Sequence, residues 1–297
     1  MCPEKKTRPP RVTVYGQTGT YSHAAACRLA PDGHYQFIDD FEEALRSLGP
    51  DRADLAVLPL ENSSAGSVLP VLDNLIKYRQ LQIVAELTLP IHHVLAAKPG
   101  TRLEEVTAVH SHDQALRQTR AFWQAQGWKP VPARSTAGAA SHIAGGALPG
   151  YAAICSALAA DLNGLTILAR DIQDVAENST RFVLVAGPPF SYRPQAPASK
   201  GAYTFTVSHE SGALLAVLQA FADADLNMVK LESRPVPQHP FKYRFFVDID
   251  LQTGALDQAL TACQPLCRDF HCLGQYPLMD PRTAGENPPP QADRPRR

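Results

Sequence analysis

VTVYGQTGTYSHAAACRLA, residues 12–30, holds the reading on which the fold turns. VTVY is β-branched and apolar and reads as a strand, GQTGTYSH is a polar glycine-bearing turn, and AAACRLA reads as a helix. The unit recurs outward along the chain. DLAVLPL (54–60) runs into ENSSAG and then SVLPVLDNLI, and VTAVH (106–110) runs into SHDQ and then ALRQTRAFWQAQ. VPAR (131–134) leads to STAG and AASHIAGGA, and AAI (152–154) leads to CSALAADL. Strands alternating with helices predict an α/β architecture with mostly parallel sheets. Such sheets gather strand C-termini and helix N-termini on one edge, where ligands bind. Helix starts carry unpaired N–H groups and the positive end of the helix dipole, so several converging on one cleft form an anion site without many Lys or Arg. Each hydroxyl at these turns also reads as an ordinary N-cap, contributing about 1 kcal/mol. Ser111-His112-Asp113-Gln114 fits a capping box. Capping alone does not explain why the same edge is loaded with donors at every polar turn.

Beyond this region, about 11–186, the pattern changes. GPPFSYRPQAPASK (187–200) carries four prolines and no helical or strand period, and reads as a linker. From 201 to 280 the order is strand YTFTVS, helix GALLAVLQAFADADL, strand NMVKLESRP, strand FKYRFFVDIDL, helix LDQALTACQPL and strand FHCLGQY. That βαββαβ order is ferredoxin-like, and a unit this small often dimerises. The proline-rich end, 281–297, is expected to be disordered. A length of 297 residues with 44% apolar content suits two domains with real cores. A net charge of −1 and 7% aromatics give no basis for a nucleic-acid partner. No apolar run approaches the ~20 residues of a membrane span, and the polar start MCPEKKTRPPR lacks the apolar stretch of a signal peptide. The expectation is a cytoplasmic protein with no membrane partner. The six cysteines read as reduced thiols, and the spacing of Cys263, Cys267 and Cys272 does not match common zinc knuckles. No metal and no cofactor are expected.

Six short motifs then fall in one order. They are Gly19-Thr20-Tyr21-Ser22-His23, Pro59-Leu60-Glu61-Asn62-Ser63, Ser111-His112-Asp113-Gln114-Ala115-Leu116, Asn178-Ser179-Thr180-Arg181-Phe182, Gly212-Ala213-Leu214 and Glu232-Ser233-Arg234-Pro235. This set resembles prephenate dehydratases over about residues 12–276. The resemblance implies a catalytic domain (11–186) with two lobes, like type II periplasmic binding proteins, and an active site between them. It also implies a ferredoxin-like ACT regulatory domain (201–280). The chain would cross lobes near 83–97 and return near 170–182. The implied activity is a carbon–oxygen lyase of L-phenylalanine biosynthesis, turning prephenate into phenylpyruvate with L-phenylalanine as feedback inhibitor. Gly212, Ala213, Leu214, Glu232, Ser233 and Arg234 would hold that effector at an interface between subunits of a homodimer or homotetramer, with an interface ion pair as the alternative reading of Glu232 and Arg234. Gln17 and Ser211 stand where the family often has proline. Some members carry a chorismate mutase bundle ahead of the dehydratase; with about 11 residues before the first strand, that activity is not expected.

The chemistry suits the residues. Prephenate is a dianion that loses CO2 and hydroxide as its ring becomes aromatic. The protein must hold it, orient it and help hydroxide leave, without over-stabilising the departing carboxylate. Neutral donors fit that task better than a buried lysine. The resemblance singles out Thr180 as a hydrogen-bond donor to the leaving hydroxyl, with Asn62 and Gln114 beside it; without the motif Thr180 reads as a β-branched strand residue. Thr20, Ser22, Ser63 and Ser111 are further candidate substrate donors, with Asn62 and Ser63 expected at a helix start. Arg181 can bind a carboxylate bidentately or fix the cleft through a structural ion pair. Phe182 packs beside the ring or in the core. His23, His112 and the His92-His93 pair read as structural, and Glu61 as a general acid or, in preference, a capping carboxylate. Arogenate dehydratase, whose substrate carries an amino group on the side chain, is the near alternative. A solute-binding or amino-acid-sensing protein on the same fold is the non-catalytic one.

Overall fold

Val12 and Val14 of the first strand are wholly buried because β1 (Arg11–Tyr15) lies inside a sheet rather than at its edge. The computed structural model describes residues 8–50, 52–146, 149–188, 192, 196–237, 239 and 241–280. The expected tail, 281–297, and parts of the expected linker, 189–191 and 193–195, lie outside these residues. After β1 come α1 (Tyr21–Leu29), β2 (His34–Ile38), α2 (Phe41–Arg46), β3 (Leu55–Asn62), the short β4 (Gly66–Ser67), α3 (Leu69–Lys77) and β5 (Gln82–Pro90). The second lobe runs β6 (Val94–Ala97), β7 (Ala108–His112), α4 (Asp113–Gln118), α5 (Arg120–Ala125), β8 (Lys129–Ala133), α6 (Thr136–Ala144), β9 (Tyr151–Cys155), α7 (Ala157–Leu162) and β10 (Thr166–Ala169). The chain returns on β11 (Ser179–Ala186). The remaining elements are β12 (Lys200–Thr206), α8 (Ala213–Asp223), β13 (Met228–Pro235), β14 (Tyr243–Asp250), α9 (Leu256–Cys263), β15 (Arg268–Tyr276) and β16 (Leu278–Met279).

Three sheets result, ordered β16-β5-β11-β3-β1-β2, β10-β6-β9-β7-β8 and β13-β14-β12-β15. The third is the ferredoxin-like order. The first two are less parallel than expected. β1 runs parallel to β2 and β3, and β7 to β8 and β9, but β11 is antiparallel to both β3 and β5. The cause is topological: the chain leaves the first lobe along β5 and comes back beside it on β11, so the two must oppose. β6 is antiparallel to β9 and β10 in the second sheet. The expected module boundary at 280 also overruns, because Leu278–Met279 pairs with β5 in the first sheet.

Alternation along β11 divides the molecule. Phe182, Leu184 and Ala186 pack against Ala25, Ala26 and Leu29 of α1 on one face. Val183 and Val185 pack on the other with Val71, Leu72 and Leu75 of α3 and with Ala202, Phe246, Leu273 and Tyr276 of the third sheet. Both faces being covered explains why LAVLPL is apolar throughout. At Gly274 (φ +154°) any Cβ would sit 2.1 Å from the Ile83 carbonyl oxygen, so only glycine lets β15 cross β5 this closely.

Candidate functional site

The strand–turn–helix units deliver the N-termini of α1, α4 and α6 to one cavity of about 860 Å³ between the lobes. Thr20 caps α1, accepting from His23 N–H, and Ser135 caps α6, accepting from Gly138 N–H. Gly19 (φ +88°) makes the lobes' approach possible; a Cβ there would lie 3.1 Å from Ala159 Cα, and its carbonyl accepts a 2.8 Å hydrogen bond from Ser156 Oγ of the second lobe.

Asn62, Gln114 and Thr180 all line this cavity, with Thr20, Ser22 and Phe182. Asn62 and Thr180 meet because β3 and β11 pair them in register. A bulge between Arg181 and Phe182 in that pairing leaves Leu60 as an extra residue on β3. Pro59 and Asn62 therefore both face the cavity, while Leu60 packs into the opposite core and Glu61 reaches Arg181 on that side. A proline, which cannot donate to a ladder, is tolerated at such a bulge. The PLEN sequence is thus the device that aims Asn62.

The hydrogen bonds around Asn62 fix one another. Its Oδ1 accepts from the backbone N–H of Ser64 (3.1 Å) and Ala65 (3.0 Å). Its Nδ2 must then face Thr180 Oγ1 (2.9 Å), Asn178 Oδ1 (2.9 Å) and the Ser179 carbonyl (3.1 Å). Thr180 Oγ1 is an acceptor in that contact, so its own proton is available to another acceptor. Gln114, from the other lobe, sits in the first turn of α4.

Several expected residues are placed elsewhere. Asn62 and Ser63 do not start a helix: β3 turns into β4, and α3 begins at Leu69 behind Val68. Ser63 Oγ accepts from Ser179 N–H (3.0 Å) outside the cavity lining. Ser111 is fully buried, donating to the Ile154 carbonyl at 2.6 Å; β7 ends two residues beyond the expected end at His110, so His112 caps α4 and the expected capping box is absent. Arg181 does not reach the cavity. It projects from the opposite face of β11 and contacts Glu61 (2.6 Å), Glu86 (2.8 Å) and Asp248 (2.5 Å), with Lys200 also on Glu86 and Lys230 on Glu61. Of the two readings left open for Arg181, the geometry is that of the ion pair. Glu61 belongs to the same network rather than to a helix cap. Burial opposes charge here, yet Arg181 and Lys200 hold the Glu86 carboxyl below its ordinary value, whereas burial pushes Asp248 up.

Of the histidines expected to be structural, His93 and His112 line the cavity. His23 Nδ1 accepts from Gly19 N–H, and burial lowers its pKa. His93 is buried between Tyr21 and Gln118. Cavity residues without a signal in the motifs include Tyr15, Gln17, Asp39, His110, Arg134 and His142. Arg134 precedes the STAG turn and Ser135 opens it; that turn marked this edge but assigned no side chain.

In the third module Gly212 (φ +82°) caps α8, and Ala213 and Leu214 line a pocket of about 170 Å³ with Lys242 and Tyr243. Glu232 and Arg234 do not line it. They face the first lobe, where Glu232 accepts from Ser67 Oγ (2.7 Å) and Arg234 pairs with Asp73 through two bonds of 2.8 and 2.6 Å.

Among known proteins, the family profile for prephenate dehydratase matches residues 12–189. The chain is 39% identical to arogenate dehydratase 1 of Petunia hybrida, over 90% of this chain and 67% of that one. A solved prephenate dehydratase from Arthrobacter aurescens, in complex with L-Phe, superposes with a TM-score of 0.79 at 31% identity, covering 90% of this chain and 89% of that one. A structure described as GqqA, a novel type of quorum-quenching acylase, superposes at 0.81 with 31% identity, covering 90% and 98%. The profile spans both lobes, the sequence and three-dimensional likenesses each cover 90% of the chain, and the chain belongs to the prephenate dehydratase family of lyases.

Proposed function

We propose that residues 11–186 catalyse the decarboxylating dehydration of prephenate to phenylpyruvate in L-phenylalanine biosynthesis. The observation that carries the reading is the Asn62–Thr180 pair on the cavity floor, where Asn62 Nδ2 occupies the threonine's acceptor side and frees its proton. Prephenate enters as a dianion. The bond from the ring to its carboxylate breaks, that electron pair moves through the diene, and the C4–O bond breaks. With one proton supplied to the departing oxygen the products are phenylpyruvate, CO2 and water. Thr180 donates a hydrogen bond to that oxygen where charge develops. Gln114 and the N–H groups at the α1 and α6 starts hold the substrate as neutral donors. These leave the departing carboxylate free to lose its charge. Ser22 and Thr20 support the α1 start, and Phe182 gives the ring an apolar wall.

Residues 201–280 act, on this reading, as an ACT regulatory domain joined by the 187–200 linker and inhibited by L-phenylalanine. The relative solved with L-Phe supports the effector. Because the Gly212-Ala213-Leu214 pocket and the Glu232-Ser233-Arg234 strand do not share a cavity within one chain, the effector site is completed between subunits of a homodimer or homotetramer. Exposed Leu215, Val229, Leu231 and Phe241 on this module supply apolar surface for that contact. The free Cys27, Cys155, Cys263, Cys267 and Cys272 suit a reducing compartment, in keeping with the cytoplasm. Incubating the purified chain with prephenate and following phenylpyruvate tests the proposal; no phenylpyruvate under conditions where the chain is folded refutes it.

A further inference from the structure

The cavity between the lobes is uneven in charge along its depth. Its floor, at Asn62 and Thr180, is buried and uncharged. Among its described lining residues Arg134 is the single arginine or lysine, and Asp39 the single carboxylate. The two face each other, Arg134 Nη2 to Asp39 Oδ2 at 3.8 Å, with side chains 93% and 74% exposed. They therefore stand at the mouth. Asp39 follows β2 in the first lobe and Arg134 follows β8 in the second, so the pair spans the opening. Asp39 also lies near Tyr15, which lines the cavity and stacks on Phe41 with ring centroids 3.9 Å apart. Burial, then Asp39 and Asp40, push the Tyr15 hydroxyl up.

Substrate shape gives this pair a role. The leaving hydroxyl and the carbon bearing the ring carboxylate and three-carbon side chain sit at opposite ends of the ring. On the reading above, which this inference rests on, the hydroxyl meets Thr180 on the floor. The side chain then points to the mouth. Prephenate and arogenate differ there and nowhere else, a keto group in one and an ammonium in the other. A guanidinium beside a carboxylate complements an α-carboxylate beside an α-ammonium. A keto acid matches only the guanidinium and meets Asp39 as a like charge. We propose that Asp39 and Arg134 form a side-chain reader at the cavity mouth, through which this chain takes arogenate as well as prephenate, with Asp39 on the ammonium and Arg134 on the side-chain carboxylate.

The test compares kcat/KM for both substrates in the full chain, in Asp39→Asn and in Arg134→Gln, with circular dichroism confirming that each variant is folded. Both side chains are exposed and carry no core packing, so folding is expected to survive. Asp39→Asn should lower arogenate turnover by about fivefold, the reach of one partly screened charge contact, and should raise prephenate turnover. Arg134→Gln should lower both. Conversion of prephenate but not arogenate by the parent chain overturns the reader, as does Asp39→Asn shifting both substrates by one common factor. Failure of the parent chain to turn over either substrate overturns the dehydratase reading instead, so the two failures are distinct.

Discussion

Thr180 and Arg181 are neighbours in the chain and opposites in the molecule. The face of β11 that carries Thr180 and Phe182 looks into a cavity whose inner wall is uncharged. The face that carries Arg181 looks into a dense charge network joining the first lobe to the third module, with Arg181, Lys200 and Lys230 set against Glu61, Glu86 and Asp248. The difference follows from what each face must do. A site that releases CO2 from a dianion gains nothing from charge that grips the departing carboxylate. A junction between modules gains register and specificity from buried charges, provided every one is paired. One strand supplies both because its side chains alternate.

The sharpest way to break this comparison is to remove one residue from each face. Thr180→Ala should lower kcat on the order of 10²- to 10³-fold, the usual cost of losing a donor to developing oxyanion charge, with little change in unfolding free energy. Thr180→Ser should recover part of the rate because it restores the hydroxyl. Arg181→Ala should do the reverse. It leaves Glu86 and Asp248, 1% and 6% exposed at the side chain, without their main partner, and should lower the unfolding free energy by roughly 3–5 kcal/mol. Steady-state kinetics and urea unfolding on both variants decide the matter. A Thr180→Ala enzyme as unstable as Arg181→Ala, with near-parent kcat, would erase the division between the faces.

How far this division was legible in the sequence is instructive. That Thr180 and Arg181 must point to opposite sides follows from strand periodicity alone, once NSTRF is read as a strand. Which side holds the cleft does not, because it depends on β3 and β5, far away in sequence. The Pro59–Asn62 stretch was recognisable as a motif, but its bulge is a property of the pairing with β11 and cannot be seen in one strand. Ser111 was read as a cap because hydroxyls cap helices; β7 extends two residues further and turns Ser111 inward, leaving the role to His112. β2, HYQFI, is a half-exposed edge strand with only two inward aromatics, Tyr35 and Phe37, and β16 is two residues whose partner is β5. Asp39 and Arg134 lie in turns that looked ordinary, and only lobe closure sets them against each other.

Acid should sharpen the contrast between the two faces. Glu86 and Glu61 have folded pKa values held below the ordinary 4.5 by Arg181, Lys200 and Lys230 against the opposing effect of burial. A depressed carboxylate contributes stability that is complete above its unfolded value and is lost as pH falls through the folded one. Asp248 runs the other way. Burial raises it, so its ionised form costs stability above the ordinary carboxylate range, and protonation relieves that cost. With Glu86 and Glu61 opposing Asp248, the junction should weaken as pH drops below about 4.5. Urea unfolding from pH 7 to pH 3 should show this as a steep acid limb. Glu86→Gln, less stable at pH 7, should have a shallower limb. An unchanged slope would mean that the acid loss arises elsewhere, for instance at Asp54, which Arg8 and Arg11 hold at about 2 despite burial.

The smallest stability effect belongs at the outer edge of the junction, where it carries the most information about regulation. Arg234 reaches from β13 of the third module to Asp73 on α3, and the two side chains are 21% and 47% exposed. Solvent screens such a pair, so Arg234→Ala should change unfolding free energy by less than about 1 kcal/mol. If L-phenylalanine works by drawing β13 toward a site shared between subunits, it must first release Arg234 from Asp73. Inhibition in Arg234→Ala should then weaken several-fold, while Asp73→Asn, which releases the arginine in advance, should strengthen it. Opposite shifts from the two halves of one ion pair would identify a contact that competes with the effector. Equal shifts in the same direction, measured as the L-phenylalanine concentration giving half-inhibition, would reduce Arg234–Asp73 to a static strut between the modules.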